Sequence, residues 1–323
     1  MVAGGYSLIG DIGGTNARFA LVPHNSVMPE RIQVLPVQEY DNLDAALHHY
    51  CREVNQGLET ISAACFAFAG PIHLEQIKLT NSHWAFSKSQ LQKRLGLETL
   101  KLINDFTAMA LSIPHLPTAS LIPVGGGPAQ DTLPKLAIGP GTGLGTAGLV
   151  RSREGWIPLA AEGGHVDFAA TTSLEIQLLQ KLTARFGRVS VERILSGQGL
   201  VNLYQCLCEL QGQSPVYHQP HEITGAALSG QDSLAVTSLE HFCEILGRVA
   251  GNAALTLGAL GGVYIVGGII PRFVEFFQNS GFRAAFEDKG RMKVLMEQIS
   301  VQVVIEPHPG LLGAAAALNN AEV

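Results

Sequence analysis

Residues Ser7-Leu-Ile-Gly-Asp-Ile-Gly-Gly-Thr-Asn-Ala-Arg-Phe-Ala-Leu-Val22 read as two short apolar strands, Ser7–Ile9 and Arg18–Val22, joined by a glycine-rich turn over Gly10–Asn16. The pattern returns in the middle of the chain. Lys135–Ile138 leads into Gly139-Pro-Gly-Thr-Gly-Leu-Gly145 and then Thr146–Val150, and both copies end in Leu-Val. A repeat this long points to two related halves, each opened by one hairpin, because solenoid units are only ~20–50 residues.

Between and after the hairpins the chain alternates. Helical stretches are expected at Asn42–Val54, near Lys88–Leu95, from Asn104-Asp105, and at Ser173–Phe186, Leu200–Leu210 and Leu234–Leu257. Strands are expected at Ile61–Phe68, Leu100–Ile103, Val263–Val266 and Val301–Ile305, with another helix from Pro271. Such alternation means α/β layering. The closing Pro309-Gly-Leu-Leu-Gly313 and Ala314–Leu318 form a small-residue helix suited to close packing, expected to return to the first domain.

The 323 residues are 46% hydrophobic and 15% charged, which suits about two domains with real cores and excludes a disordered chain. Lys plus Arg number 21 against 27 Asp plus Glu, a net charge of −6 with no basic run, so nucleic acid and anionic membrane are poor partners. The longest apolar stretches, around 61–72 and 263–270, fall short of the ~20 residues a bilayer requires. Met1–Gly14 lacks a basic segment ahead of an apolar one, and the reading is a cytoplasmic protein. The five cysteines, at 51, 65, 206, 208 and 243, read as reduced thiols, Cys206-x-Cys208 lacking the spacing of a zinc site.

No Gly-Lys pair exists, so a P-loop is excluded. Gly143-Leu-Gly-Thr-Ala-Gly148 matches a dinucleotide fingerprint in letters alone, since Gly148, Gly155 and Pro158 leave no room for the helix that would face a pyrophosphate. Glycine hairpins nevertheless let backbone N–H groups approach phosphate oxygens, and two of them could grip a triphosphate. Asp11, the single acid in the first, could hold Mg²⁺ beside phosphate or stabilise the turn as an Asx residue. Asn104 and Asp105 fall where an apolar strand meets a helix, the edge at which α/β sheets bind ligands, yet both are also favoured helix caps. Glu162-Gly-Gly-His165 joins an acid and an imidazole on flexed backbone, which a surface turn would also explain; Glu192, taken alone, reads as a solvated acid.

Taken together these segments resemble the bacterial glucokinases of the hexokinase, actin and Hsp70 sugar-kinase superfamily. The matching runs are Gly10–Arg18, Leu79-Thr-Asn-Ser-His-Trp-Ala-Phe86, Ile103–Ala108, Gly139–Gly145, Glu162–Phe168, Glu192–Gly197, Gly267-Gly-Ile-Ile-Pro-Arg272 and Gly281–Gly290, in order along nearly the whole chain. The resemblance implies a two-domain actin-like, ribonuclease H-like α/β fold with a cleft between domains, the first covering 1–114 plus 307–323 and the second 115–306. It further implies an ATP-dependent glucokinase producing glucose 6-phosphate, with ATP and Mg²⁺ as cofactors. Gly10, Asp11, Ile12, Gly13, Gly14, Thr15, Gly141, Thr142 and Gly143 would contact phosphates, Asp11 would attend the metal, and Gly267 and Gly268 would flank the adenosine. Glucose would be held by Asn104, Asp105, Glu162, His165 and Glu192, with Asp105 as catalytic base. Carboxylates and amides suit vicinal hydroxyls, each of which donates and accepts.

A homodimer is compatible with this reading. Kinases for another hexose or another phosphate donor would keep the same loops, and a sugar-sensing protein on the same fold would need a DNA-binding module, for which no space precedes residue 7. The related repressors and kinases usually carry a zinc-binding cysteine cluster after a Gly-His pair. Here Gly164-His165 is present but no cysteine lies between 65 and 206, so zinc is not expected. Gln198 is a further departure from the resemblance, standing where proline is expected in Leu-Ser-Gly-x-Gly-Leu.

Overall fold

The first hairpin pairs β1 (Tyr6–Ile12) antiparallel with β2 (Asn16–Pro23), Asp11 opposite Arg18 and Ile12 opposite Ala17. The strand therefore runs three residues beyond Ile9, and the turn is confined to residues 13–15. The reason is packing: a Cβ on Gly10 would stand 2.8 Å from Phe66 Cδ1 and 3.1 Å from Phe19 Cδ1, so this glycine lets two rings close over the strand. Ile12 continues the buried face. The structure is a computed structural model describing residues 5–24, 26–70, 74–79 and 82–323.

The chain divides into two compact units, Met1–Thr118 with Leu149–Ala160 and Glu306–Val323, and Ala119–Gly148 with Ala161–Ile305. In the first unit β2 is followed by β3 (Glu30–Pro36), α1 (Leu43–Glu53), β4 (Ala63–Phe68), β5 (Gln76–Lys78), β6 (Ala85–Ser87), α2 (Lys88–Leu95), β7 (Thr99–Asn104) and α3 (Asp105–Ser112). α1 forms because Asn42 caps Ala45 N–H while Leu43, Ala46, Leu47, Tyr50 and Cys51 make one buried stripe. The sheet order is β3-β2-β1-β4-β7, with β4 parallel to both β1 and β7. Ile12 pairs with Phe68 and Phe68 with Asn104, so the C-terminal ends of β1 and β7 are level, two strand spacings or about 10 Å apart. Phe19, Tyr50 and Phe66 pack over the sheet, with ring centroids of Phe19 at 5.7 Å from Tyr50 and 6.4 Å from Phe66.

The remaining elements are β8 (Leu121–Gly125), β9 (Lys135–Pro140), β10 (Leu144–Arg151), β11 (Trp156–Ala161), α4 (Ser173–Phe186), α5 (Gly197–Leu210), α6 (Pro220–Leu228), α7 (Ser233–Leu257), β12 (Val263–Ile265), α8 (Val274–Asn279), α9 (Phe282–Glu287), α10 (Lys293–Gln298), β13 (Val301–Val304) and α11 (Pro309–Leu318). The second sheet runs β11-β10-β9-β12-β13-β8. Counted by order of appearance from its glycine hairpin, it repeats the third-second-first-fourth-fifth order of the first sheet, with β8 added antiparallel at one edge. The segment 144–151 is strand, so the letter match to a dinucleotide fingerprint opens no helix. α7 packs on α9 where Gly247 and Gly251 abut the carbonyls of Phe282 and Phe286, which gives the Gly281–Gly290 motif a structural task. All five cysteines are buried and unpaired, and burial pushes the Cys65 thiol up to about 12.

α11 belongs to the first unit. Its buried face spans Gly310–Ala317, and Gly313 lies where a Cβ would collide with the carbonyl oxygen of Ala108 on α3. The helix spans Pro309–Leu318 as expected, opening at Pro309 because proline at the first helical position sets φ and lacks an N–H that would go unpaired. Lys101 on β7 secures its far end, Nζ donating to Ala317 O at 2.8 Å and Asn320 O at 2.9 Å. Removing these charge-assisted bonds in Lys101→Met is expected to cost about 1–3 kcal/mol. A thermal melt should record a lower Tm, and an unchanged one would show that the ammonium contributes nothing there.

Candidate active site

In the first unit the level ends of β1 and β7 place Asp11 and the Asn104-Asp105 pair on one edge of one sheet. Asp11 is mostly buried, its side chain 16% exposed, with Arg18 Nη1 at 3.7 Å. Burial pushes its carboxyl above the ordinary carboxylate range, and Arg18 and His308 only partly offset this. The N-terminal turn of α11 lies against it, since a Cβ on Gly310 would stand 2.7 Å from Asp11 Cγ. Gly13, Gly14 and Thr15 form the turn tip, Gly13 N–H donating to Asn16 O at 3.0 Å. The Ile12 side chain is buried in the core, so only its backbone is available to a ligand.

Asn104 is the N-cap of α3, its Oδ1 accepting from Phe106 N–H at 2.9 Å and Thr107 N–H at 3.3 Å. Asp105 Oδ1 also accepts from Phe106 N–H, at 2.9 Å. Capping is therefore real at both positions and engages one oxygen of each. Of the Leu79–Phe86 motif, Leu79, Trp84 and Phe86 are core residues, while Thr80 and Asn81 lie outside the described residues.

In the second unit three predicted residues converge on the start of β10. Leu144 N–H donates to Glu192 Oε2 at 2.9 Å. Gly163 N–H donates to Thr146 Oγ1 at 2.9 Å, and Gly164 fits only without a side chain because a Cβ would strike Leu144 O. These contacts pin the turn from Glu162 to His165, whose side chains stand out with 80% and 59% exposure and lie 4.0 Å apart. Arg188 ties the same turn down, Nη2 donating to His165 O at 2.6 Å and meeting Asp167 Oδ1 at 2.7 Å. Gly141, Thr142 and Gly143 form the hairpin tip, Gly141 N–H donating to Gly143 O at 2.7 Å. Gly267, at φ +90°, follows β12 and approaches Pro140 O, placing Gly267-Gly268 beside that hairpin at the C-terminal ends of parallel β9 and β12.

Sequence reasoning missed Arg188, Thr146 and the Leu144 N–H, all of which act through tertiary contacts. It also missed His308, whose Nδ1 is, among the described residues, the buried side-chain nitrogen or oxygen without a hydrogen-bond partner. Its place directly before Pro309 at a helix start was the available signal. Among the described residues no three His, Cys, Asp or Glu side chains could together cage a metal ion.

Two sheets of one repeated topology, each carrying a glycine hairpin and acids or amides at its strand ends, define a two-domain actin-like, ribonuclease H-like sugar kinase fold. The sequence model of the Glucokinase family matches residues 8–321, and the chain belongs to that family. It is 57% identical over 318 residues to a glucokinase of Hahella chejuensis, covering 98% of each chain. Among solved structures, a glucokinase from an Antarctic psychrotroph superposes with a TM-score of 0.89 at 36% identity, covering 97% of this chain and 98% of that one. A ROK family glucokinase from Streptomyces griseus, solved with glucose and AMPPNP, shares the fold with a TM-score of 0.59 at 18% identity, covering 97% and 99%.

Proposed function

We propose that Asp105 is the general base of a reaction that moves the γ-phosphoryl group of ATP to the 6-hydroxyl of glucose. The chain is a hexose kinase of the glucokinase family. The observation that carries the assignment is the strand register that levels Ile12 with Asn104, so that Asp11 and Asp105, the residues next to them, lie near one sheet edge on strands about two spacings apart. As the 6-oxygen attacks the γ-phosphorus, its proton passes to Asp105, a P–O bond forms, and the bond to the bridging oxygen breaks to release ADP.

Asn104, with its oxygen committed to the helix cap, offers its amide N–H groups to the sugar, and Glu162, His165 and Glu192 supply further hydroxyl partners. The N–H groups of residues 10–15 and 141–143 receive phosphate oxygens, and Gly267 and Gly268 border the adenosine. Mg²⁺ fits this arrangement: it is commonly held by one or two carboxylates together with phosphate oxygens and water, and Asp11 is a partly buried carboxylate poorly compensated by its neighbours. When bound beside Asp11, it would supply positive charge to the phosphates. The reading takes the domains as 1–114 plus 307–323 and 115–306, and the location as cytoplasmic. It is compatible with a homodimer. Among the described residues no helix is long and apolar enough to cross a membrane.

A coupled assay with a panel of hexoses, MgATP and polyphosphate tests the whole reading. Glucose with MgATP is expected to give the highest kcat/KM, and a better alternative sugar or donor would overturn the stated specificity.

A further inference from the structure

The contact between Glu192 and the second hairpin joins groups assigned to different substrates. Glu192 Oε2 accepts from Leu144 N–H at 2.9 Å, and the same oxygen fills the space that a Cβ on Gly143 would need. A second tie lies beside it, Gly197 N–H donating to Gly141 O at 2.9 Å. Ser196 Oγ donates to Glu192 O at 2.9 Å and accepts from Gly199 N–H at 2.9 Å, so the segment bearing Glu192 is built into the start of α5. The Glu192 segment and the hairpin tip are thus clamped at two points.

We propose that Glu192 serves both subsites, one carboxylate oxygen holding the phosphate hairpin through Leu144 N–H and the other presented to the sugar, and that Gly143 is a positioning residue for glucose. This rests on the assignment of Glu192 to the sugar and of residues 141–143 to phosphate. A hydrogen-bonded carboxylate shared in this way couples the two ligands, and the coupling is reciprocal: whatever glucose does to nucleotide affinity, nucleotide does to glucose affinity. It also separates two glycines of one loop. A Cβ on Gly141 would meet nothing within 4 Å, whereas one on Gly143 would meet Glu192 Cδ at 3.1 Å and displace its carboxylate.

The test is calorimetric titration of the full chain with glucose in the absence of nucleotide. Gly143→Ala should bind glucose roughly tenfold or more weakly, the scale of losing a hydrogen bond to a charged group. Gly141→Ala should keep the wild-type glucose affinity whatever it does to AMPPNP. Equal glucose affinity in folded Gly143→Ala and wild type would overturn the proposal, as would equal losses in both variants, because a phosphate contact alone does not act on glucose when nucleotide is absent.

A second measurement covers the case in which Gly143→Ala fails to fold. Glucose should tighten AMPPNP binding to the wild type by about 5–150-fold, and Glu192→Gln should abolish that factor at saturating glucose. Coupling left intact in Glu192→Gln would overturn the proposal. A folded wild type that binds no glucose would instead overturn the underlying assignment.

Discussion

Asp105→Asn is expected to lower kcat by about 10²–10⁴ in a protein that still folds and binds glucose, the usual worth of a positioned general base. The structure makes this substitution discriminating. Asn104 already caps α3 through two N–H groups, and Asp105 adds one bond from its Oδ1 to Phe106 N–H. An asparagine keeps that oxygen and is itself a favoured cap, so a purely structural Asp105 predicts almost no change in rate. A base predicts a large one, because an amide does not take the proton leaving the 6-hydroxyl. Steady-state kinetics with a thermal melt distinguish the two, and near-wild-type kcat in a stable variant would end the catalytic assignment.

Asp11→Ala should reduce kcat by roughly 10²–10³, comparable to losing one preorganised electrostatic contact in an active site, with glucose affinity retained. Removing divalent metal with EDTA should likewise stop turnover. The alternative of an Asx residue in the turn fits the geometry poorly. Asp11 sits within the ladder opposite Arg18, and the turn begins two residues later at Gly13. Burial rather than pairing dominates its surroundings, and Arg18 at 3.7 Å is a loose partner, so little folding energy is expected to be lost with the carboxylate. Parallel losses of glucose binding and rate would mean that Asp11 is structural after all.

The sequence made the interior of both sheets legible and most of their edges obscure. β1, β4, β9, β12 and β13 have a strand on either side and carry dense apolar runs, and each lies close to where it is expected; β7, at an edge of the first sheet, is legible as well because Leu100, Leu102 and Ile103 are buried. The strands that escaped notice include β3, β8 and β11, all at sheet edges, together with the small β5-β6 pair. β11 is largely exposed, and both it and β8 contain a proline, which edge strands tolerate and which breaks the alternating pattern. α6 opens inside the polar run 211–222, with its buried residues Ile223, Ala226 and Ala227 beyond it. Among the functional residues, Asn104 and Asp105 were marked by a strand-to-helix junction, whereas the bond from Leu144 to Glu192 spans 48 residues and leaves no local trace.

The close fit of Gly313 against Ala108 has a consequence for how the protein is made. A ribosome delivers α3 and the sheet of the first unit early, but the helix that covers them arrives only after the whole of the second unit has been synthesised. At typical elongation rates that gap lasts on the order of ten to forty seconds, during which the apolar groups destined for α11 stay exposed on the nascent chain. The second unit can complete its own core in that interval, so the order of maturation is the reverse of the order of synthesis, and the interval before α11 docks is when chaperone attention would matter most.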